Sequence, residues 1–379
     1  MARLLYLTIK DFKNGMSDGV VKKILQQVEV FKRNEFEVDY IYYDGKRKGV
    51  YLRSESEEKL LGKKILIKTE DIYMHILRYV KREKYDCVYI RNVHRKDPIF
   101  LSVLSRLKKN GTCIVYEIPT YPYDNEAQTL SGKFDLCIDK MFRRFLKRYV
   151  DRIVTFMNHN VIWGIPVIPI MNGIIVKQIP MLNQEKKDDK INLVAVSLLR
   201  HAQGYERLIR GMAKYVQSGG DKIRIHIVGE GVEKVRYVEL VKNEKIEEYI
   251  TFYGLMKGKE LDSMYEMADI ALGNFGAYKD DVWVTSPLKM REALAKGLPF
   301  VTGGRTDISE KYPTKYVLEM PNDDSDIDMF EIEQYYNSII EGKSKIQLAQ
   351  EIRSSTYNII DMQVTMKPVI DYIQEELQK

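Results

Sequence analysis

The residues best suited to chemistry lie between Thr285 and Phe300, TSPLKMREALAKGLPF. Thr285 or Ser286 is placed to cap a helix N-terminus. Pro287 suits the first helical position, and Gly297 the position after the last turn. On such a helix Met290, Ala293, Leu294 and Gly297 form an inward face, while Lys289, Glu292 and Lys296 share the other. A helix N-terminus offers free N–H groups and positive partial charge, which is a site for a diphosphate. Ser286, Pro287, Leu288 and Lys289 stand at that end. Glu292 lies just over one turn in, within reach of a ribose diol. The competing reading is a surface helix with a Lys–Glu–Lys salt-bridge stripe.

The elements that must position this helix alternate along the chain. Leu4–Ile9 reads as a strand, Val20–Lys32 as a helix and Val38–Tyr43 as a strand. Ile72–Lys84 and Ile99–Lys109 read as helices, with strands at Asp86–Ile90 and Thr112–Glu117. Lys133–Tyr149 reads as one long basic helix, followed by short strands at Arg152–Phe156 and Pro166–Met171. The charged run Gln184–Lys190 (QEKKDDK) lacks apolar periodicity and reads as a linker. The alternation then restarts with strands at Ile191–Ser197, Ile223–Val228, Ile250–Tyr253, Ile270–Gly273 and Pro299–Thr302. Helices are predicted at Tyr205–Gln217, Glu233–Asn243, Lys259–Met267 and Pro287–Lys296, and in the tail from Asp328. This alternation predicts α/β domains with parallel sheets. The domains expected are 1–184 and 185–361, with a terminal helix at about 362–379 packing back on the first. Open parallel sheets bind ligands beyond the carboxyl ends of their strands, so the site is expected there.

The chain has 379 residues, 45% hydrophobic and 30% charged, enough for two cores. No stretch is long and apolar enough to span a bilayer. The N-terminus lacks the order of a signal peptide, so a cytoplasmic protein is expected. The net charge of +6 is mild; it suits an anionic ligand or membrane surface and does not argue for nucleic acid. Cys87, Cys113 and Cys137 match no metal-ligand spacing and imply no disulfide framework. His75 reads as a helix residue and His226 as a strand residue. His94 follows a strand end and could line a cleft, though nothing local fixes its charge.

In this order the segments resemble retaining family 4 glycosyltransferases of GT-B fold, two Rossmann-like domains facing across a cleft. Thr285–Phe300 resembles the donor-site helix. Ile225–Gly231 (IHIVGEG) resembles the strand and glycine turn ahead of it, and Ile250–Gly254 (ITFYG) the strand before the base-binding loop. Met264–Ala271 (MYEMADIA) resembles the helix and strand that precede the donor site. Pro169–Gly173 (PIMNG) resembles the end of the first domain. Lys13–Gly19 (KNGMSDG) resembles the opening glycine loop, with Gly15 and Gly19. Glu117–Glu126 (EIPTYPYDNE) and Gly204–Ile209 (GYERLI) resemble a subgroup that builds bacterial capsular and surface polysaccharides. The two prolines and two tyrosines of the first would make a stiff, amphipathic loop; an acceptor-side wall and a plain structural turn are both open readings.

The resemblance implies a hexosyltransferase that moves a sugar from a nucleotide diphosphate donor, with UDP expected, to a glycan or polyprenyl-diphosphate-linked acceptor. It implies no resident cofactor and no metal. Glu292 matches the glutamate that holds the ribose; its usual companion falls at Val284 and is absent, with Asp280 or Asp281 as substitutes. Arg200 matches the arginine that grips the diphosphate. The partner lysine's position is Gln203, so Lys289 is expected to supply that charge, ahead of His201 or Arg207. Glu117 takes the strand-end position near the reacting centre, and Gly229 and Gly254 belong to the donor side. The basic helix Lys140–Tyr149 could rest on the inner membrane, or pack on the core through Met141, Phe142, Phe145 and Tyr149. The rival functions are a nucleotide-sugar epimerase and a catalytically weak partner subunit of another transferase.

Overall fold

A computed structural model describes residues 1–15, 19–63, 69–91, 95–119, 121–124, 129–156 and 159–379. It divides into two compact units, Met1–Met171 with Thr365–Lys379, and Asn172–Val364. The division falls before the charged run Gln184–Lys190. The stretch between belongs with the second unit because its backbone bonds there: Ile174 N–H donates to Ile360 O at 3.0 Å and Leu182 N–H to Lys296 O at 2.9 Å.

The first unit is built on β1 (Ala2–Asp11), α1 (Gly19–Arg33), β2 (Phe36–Asp44), β3 (Gly49–Arg53), β4 (Glu58–Lys63), α2 (Thr69–Val80), β5 (Cys87–Arg91), α3 (Pro98–Lys109), β6 (Cys113–Glu117), α4 (Leu130–Arg143), β7 (Arg152–Thr155), β8 (Val161–Ile162) and β9 (Ile165–Pro169). The strand order is β4-β3-β2-β1-β5-β6-β7-β9-β8. From β2 to β9 the pairing is parallel. Leu4 to Leu7 are all fully buried, as expected of a central strand covered on both faces. The antiparallel pair β3–β4 extends one edge and has no counterpart in the sequence reading. Its strands are short and interleaved with charge, so no clean alternation marks them.

The expected helix Lys133–Tyr149 is not continuous. α4 stops at Arg143, and a separate 3-10 turn covers Leu146–Arg148. That break lets Leu146 and Val150 enter the core. Met141, which the core-packing alternative would bury, is exposed, while Phe142, Phe145 and Tyr149 are half-buried.

The second unit contains β10 (Ile191–Val196), α5 (Tyr205–Gln217), β11 (Ile223–Val228), α6 (Lys234–Asn243), β12 (Ile250–Gly254), α7 (Lys259–Met267), β13 (Ile270–Leu272), β14 (Val284–Thr285), α8 (Leu288–Lys296), β15 (Phe300–Gly303), β16 (Arg305–Thr306), α9 (Asp307–Lys311), β17 (Val317–Met320), α10 (Met329–Ile340), α11 (Lys345–Ile360) and α12 (Met362–Thr365). Its main sheet is wholly parallel, in the order β12-β11-β10-β13-β15-β17. The chain winds outward from β10 to β12, returns to β13, and winds outward the other way. The reversal between β10 and β13 is the switch point at which such sheets bind ligands. The last helix, α13 (Lys367–Leu377), groups with the first unit, where the Arg152 guanidinium lies 4.5 Å from the Tyr372 ring centroid.

Candidate donor site

The loops after β10, β11 and β13 and the N-terminus of α8 meet at that switch point. The loop after β10 is braced on the glycine turn after β11: Leu199 N–H donates to Glu230 O at 2.9 Å, and Gly229 N–H donates to Gly254 O at 2.7 Å. A Cβ on Gly229 would lie 1.8 Å from Ser197 O, so only glycine allows the approach. Gly204 opens α5 at φ +64°, and a Cβ there would lie 2.4 Å from Gly276 N in the loop after β13. Phe275 N–H donates to Gln203 O at 2.7 Å, closing the same two loops together.

α8 begins one residue later than expected, with Pro287 at the N-cap position and no side-chain cap. Neither Thr285 nor Ser286 caps it, because the Ser286 hydroxyl donates instead to Asp307 Oδ2 at 2.6 Å. The first-turn N–H groups are therefore left to a ligand or water. Gly297 ends the helix at φ +90°. Met290, Ala293 and Leu294 are buried, as their spacing predicts.

The other face is not a salt-bridge stripe. Lys296 Nζ pairs with Asp262 at 3.2 Å. Lys289 has no carboxylate partner among the described residues; its Nζ donates to Gln203 Oε1 at 3.4 Å. Burial lowers the Lys289 ammonium to about 8. Glu292 is half-buried on the same face, and after burial its charge is the largest cause holding the Tyr265 phenol up. Arg200 is exposed at the start of the turn His201–Gln203 and makes no ion pair among the described residues. Lys289 and Arg200 thus bring two uncompensated positive side chains to the loops around one uncapped helix end.

Arg207 is a different case. It is fully buried, and its guanidinium donates to the carbonyls of Phe275 (2.6 Å), Pro321 (2.9 Å) and Ser325. Its donors are used in shaping the loop, so it supplies no charge to a ligand. Asp280 and Asp281 are exposed in and after the turn Ala277–Asp280, while Val284 pairs with Arg305 in the short β14–β16 ladder.

A layer behind α8 escaped the sequence reading. Arg291 and Asp307, both almost wholly buried, form an ion pair. Arg291 Nε also donates to Asn172 O at 3.0 Å, and Asn172 Nδ2 donates to Ser286 O at 2.6 Å. The asparagine of PIMNG thereby fixes the approach to the helix.

In the first unit, Gly15 closes a turn at φ +52°, with its N–H on Phe12 O at 2.8 Å, and Gly19 opens α1. Residues 16–18, between them, lie outside the described residues, as does His94. Glu117 ends β6 and is buried. It accepts from Arg91 Nε (2.8 Å), Gln27 Nε2 (2.9 Å) and Tyr89 OH (2.8 Å), with Lys23 Nζ at 3.6 Å. Burial opposes its charge, but Arg91 and Lys23 overcome that and hold it down to about 2. Tyr123 of the proline–tyrosine loop donates to the buried Asp139 at 2.6 Å, and Lys96 Nζ lies 3.0 Å from the same carboxylate. His226 bonds Asn192 and Tyr253, and burial lowers it to about 4. His75 bonds the Lys63 carbonyl.

Residues 180–328 match the family model described as Glycosyl transferases group 1. The chain carries that domain, and its enzyme class is glycosyl transfer. Solved structures similar to the whole chain include sucrose-phosphate synthase from Thermosynechococcus elongatus, with TM-score 0.66, 14% identity and complete coverage of both chains. The Anabaena protein HepE, in complex with UDP, has TM-score 0.62 and 11% identity over 99% of this chain and all of its own. The catalytic domain of starch synthase IV from Arabidopsis thaliana, bound to ADP and acarbose, has TM-score 0.60 and 10% identity over all of this chain and 99% of its own. These likenesses define the fold as GT-B, with two Rossmann-like domains. No curated protein matches the chain.

Proposed function

We propose that the chain is a retaining glycosyltransferase of the family 4 type, taking a sugar from a UDP-sugar. The observation that carries this is Lys289, a half-buried ammonium with no carboxylate partner among the described residues, on the first turn of an uncapped helix at the sheet's switch point. In the reaction the bond from the anomeric carbon to the terminal diphosphate oxygen breaks, and a bond to the acceptor oxygen forms. The diphosphate leaves with an added negative charge unless it takes the acceptor's proton. Lys289, Arg200 and the N–H groups beyond Ser286, Pro287 and Leu288 stabilise that charge, in a role that needs no metal ion. Glu292 holds the ribose, while Gly229 and Gly254 let the backbone approach the base side. Glu117 acts as a fixed anion that orders Arg91 and Lys23, since a carboxylate held so low carries no proton at neutral pH.

The acceptor in this reading is a glycan on a polyprenyl diphosphate, in the assembly of a capsular or surface polysaccharide at the cytoplasmic membrane face. The Tyr121–Asp124 loop supports it as a rigid, aromatic wall in the first unit. Glu292→Ala is the test, by calorimetry with UDP, GDP and ADP. Micromolar binding of UDP, lost in the variant, is expected. Absence of all nucleotide binding would instead favour the partner-subunit reading, to which Val284 and Gln203 lend their weight.

A further inference from the structure

Helix α4 is built inside out. Asp139 is its one buried residue. The acids of this helix are both turned to neighbouring cations: Asp139 pairs with Lys96 at 3.0 Å and Asp135 with Arg95 at 3.0 Å. Arg143, on the same side, pairs with Asp124 at 2.7 Å. The opposite face carries Leu130, Phe134, Cys137 and Met141, four, three and four residues apart and so on one stripe. Leu130 is 87% exposed, Phe134 65% and Met141 49%. Lys133, Lys140 and Arg144 border this stripe, and Lys147 and Arg148 follow in the next turn; all five are exposed. Among the described residues, Lys133, Arg144, Lys147 and Arg148 form no ion pair, while Lys140 pairs with Asp124 at 3.0 Å.

We infer that this face of α4 docks on an anionic lipid bilayer. Apolar side chains at its centre enter the acyl boundary while the cations along its border meet the headgroups. The charge distribution selects that occupant. Both acids of the helix are paired with cations, Asp139 buried and Asp135 half exposed beside Arg95, and neither lies on the apolar stripe, so the field along that stripe is positive. Two copies of the same face would repel each other, whereas an anionic surface attracts both. The inference deepens the acceptor part of the proposed function, because a polyprenyl-linked substrate lies in the same surface, but docking is read without any turnover.

The test is flotation of the full chain with phosphatidylcholine vesicles, with and without phosphatidylglycerol. Binding to the mixed vesicles alone, weakened by salt, is expected. Leu130→Ser with Phe134→Ser should weaken it about a hundredfold, and Lys133→Ala or Arg144→Ala about fivefold each. These positions are exposed, and retained UDP binding in each variant would show that the fold survives. Wild-type-like binding by the serine variant would overturn the inference. So would equal binding to neutral vesicles, or a dimer abolished by the serine changes with no vesicle binding. UDP binding without vesicle binding defeats the docking surface alone; vesicle binding without nucleotide binding leaves it standing and defeats the donor reading.

Discussion

Replacing Lys289 with methionine should stabilise the empty protein and weaken the nucleotide complex. Burial takes this ammonium from 10.5 to about 8. A drop of that size corresponds to roughly 3 kcal/mol against the charged form. At neutral pH the group is protonated both folded and unfolded, so the folded state bears the whole penalty. Between about pH 8 and 10.5 the unfolded chain binds the extra proton, and stability through this group rises with pH. Lys289→Met removes the penalty and keeps the stem's packing. A gain of about 1–3 kcal/mol at pH 7 is expected, read as a higher Tm and a higher urea midpoint. A diphosphate beside the ammonium reverses the balance. Losing that charge-assisted contact should weaken UDP about 10- to 150-fold, on the order of 1.5–3 kcal/mol. Wild-type affinity should also fall as pH rises past about 8, with proton uptake on binding visible in buffers of different ionisation enthalpy. The variant should lack both effects. A variant that melts lower while binding UDP normally would refute the reasoning, because Lys289 would then be a structural residue with a counter-ion.

Two other changes probe the supports. Arg291→Ala leaves Asp307 buried without its cation and should destabilise the second unit by roughly 3–5 kcal/mol, measured by urea unfolding; an unchanged midpoint would show the pair to be dispensable. Glu117→Gln leaves Arg91 and Lys23 without their shared anion and should cost about 3 kcal/mol at pH 7. The Glu117 carboxylate is depressed in the fold, so its contribution is present above the usual carboxylate range and is lost as pH falls toward about 2. The variant's acid-unfolding limb should be correspondingly flatter, and a titration of activity near neutral pH assigned to Glu117 would contradict this account.

Much of the second unit was legible because its elements carry their own signals. α5, β11 and α7 fall on the residues that periodicity marks, and Gly297 ends α8 as a left-handed glycine should. Helix α8 was recognisable from its apolar face and its Pro-to-Gly bounds. The edge pair β3–β4 was not, since its strands are short and alternate poorly between apolar and polar residues. The Arg291–Asp307 pair was equally hidden: sixteen residues separate its members, and nothing local distinguishes them from surface charges. α4 misled for the opposite reason. Its basic and apolar alternation is plain, but an amphipathic pattern does not say which face turns inward.

The sequence by itself determined the order of strands and helices in the second unit's sheet, the two-domain α/β class and the glycines at the strand ends, because these follow from periodicity and backbone sterics along a few neighbouring residues. Only the tertiary structure decided which charges are already satisfied. Arg207, Glu117, Asp307 and Asp139 have found partners distant in sequence, whereas Lys289 and Arg200 have no anion among the described residues. That distinction depends on which groups folding brings within a few ångströms and removes from water, and no local pattern in the chain encodes it.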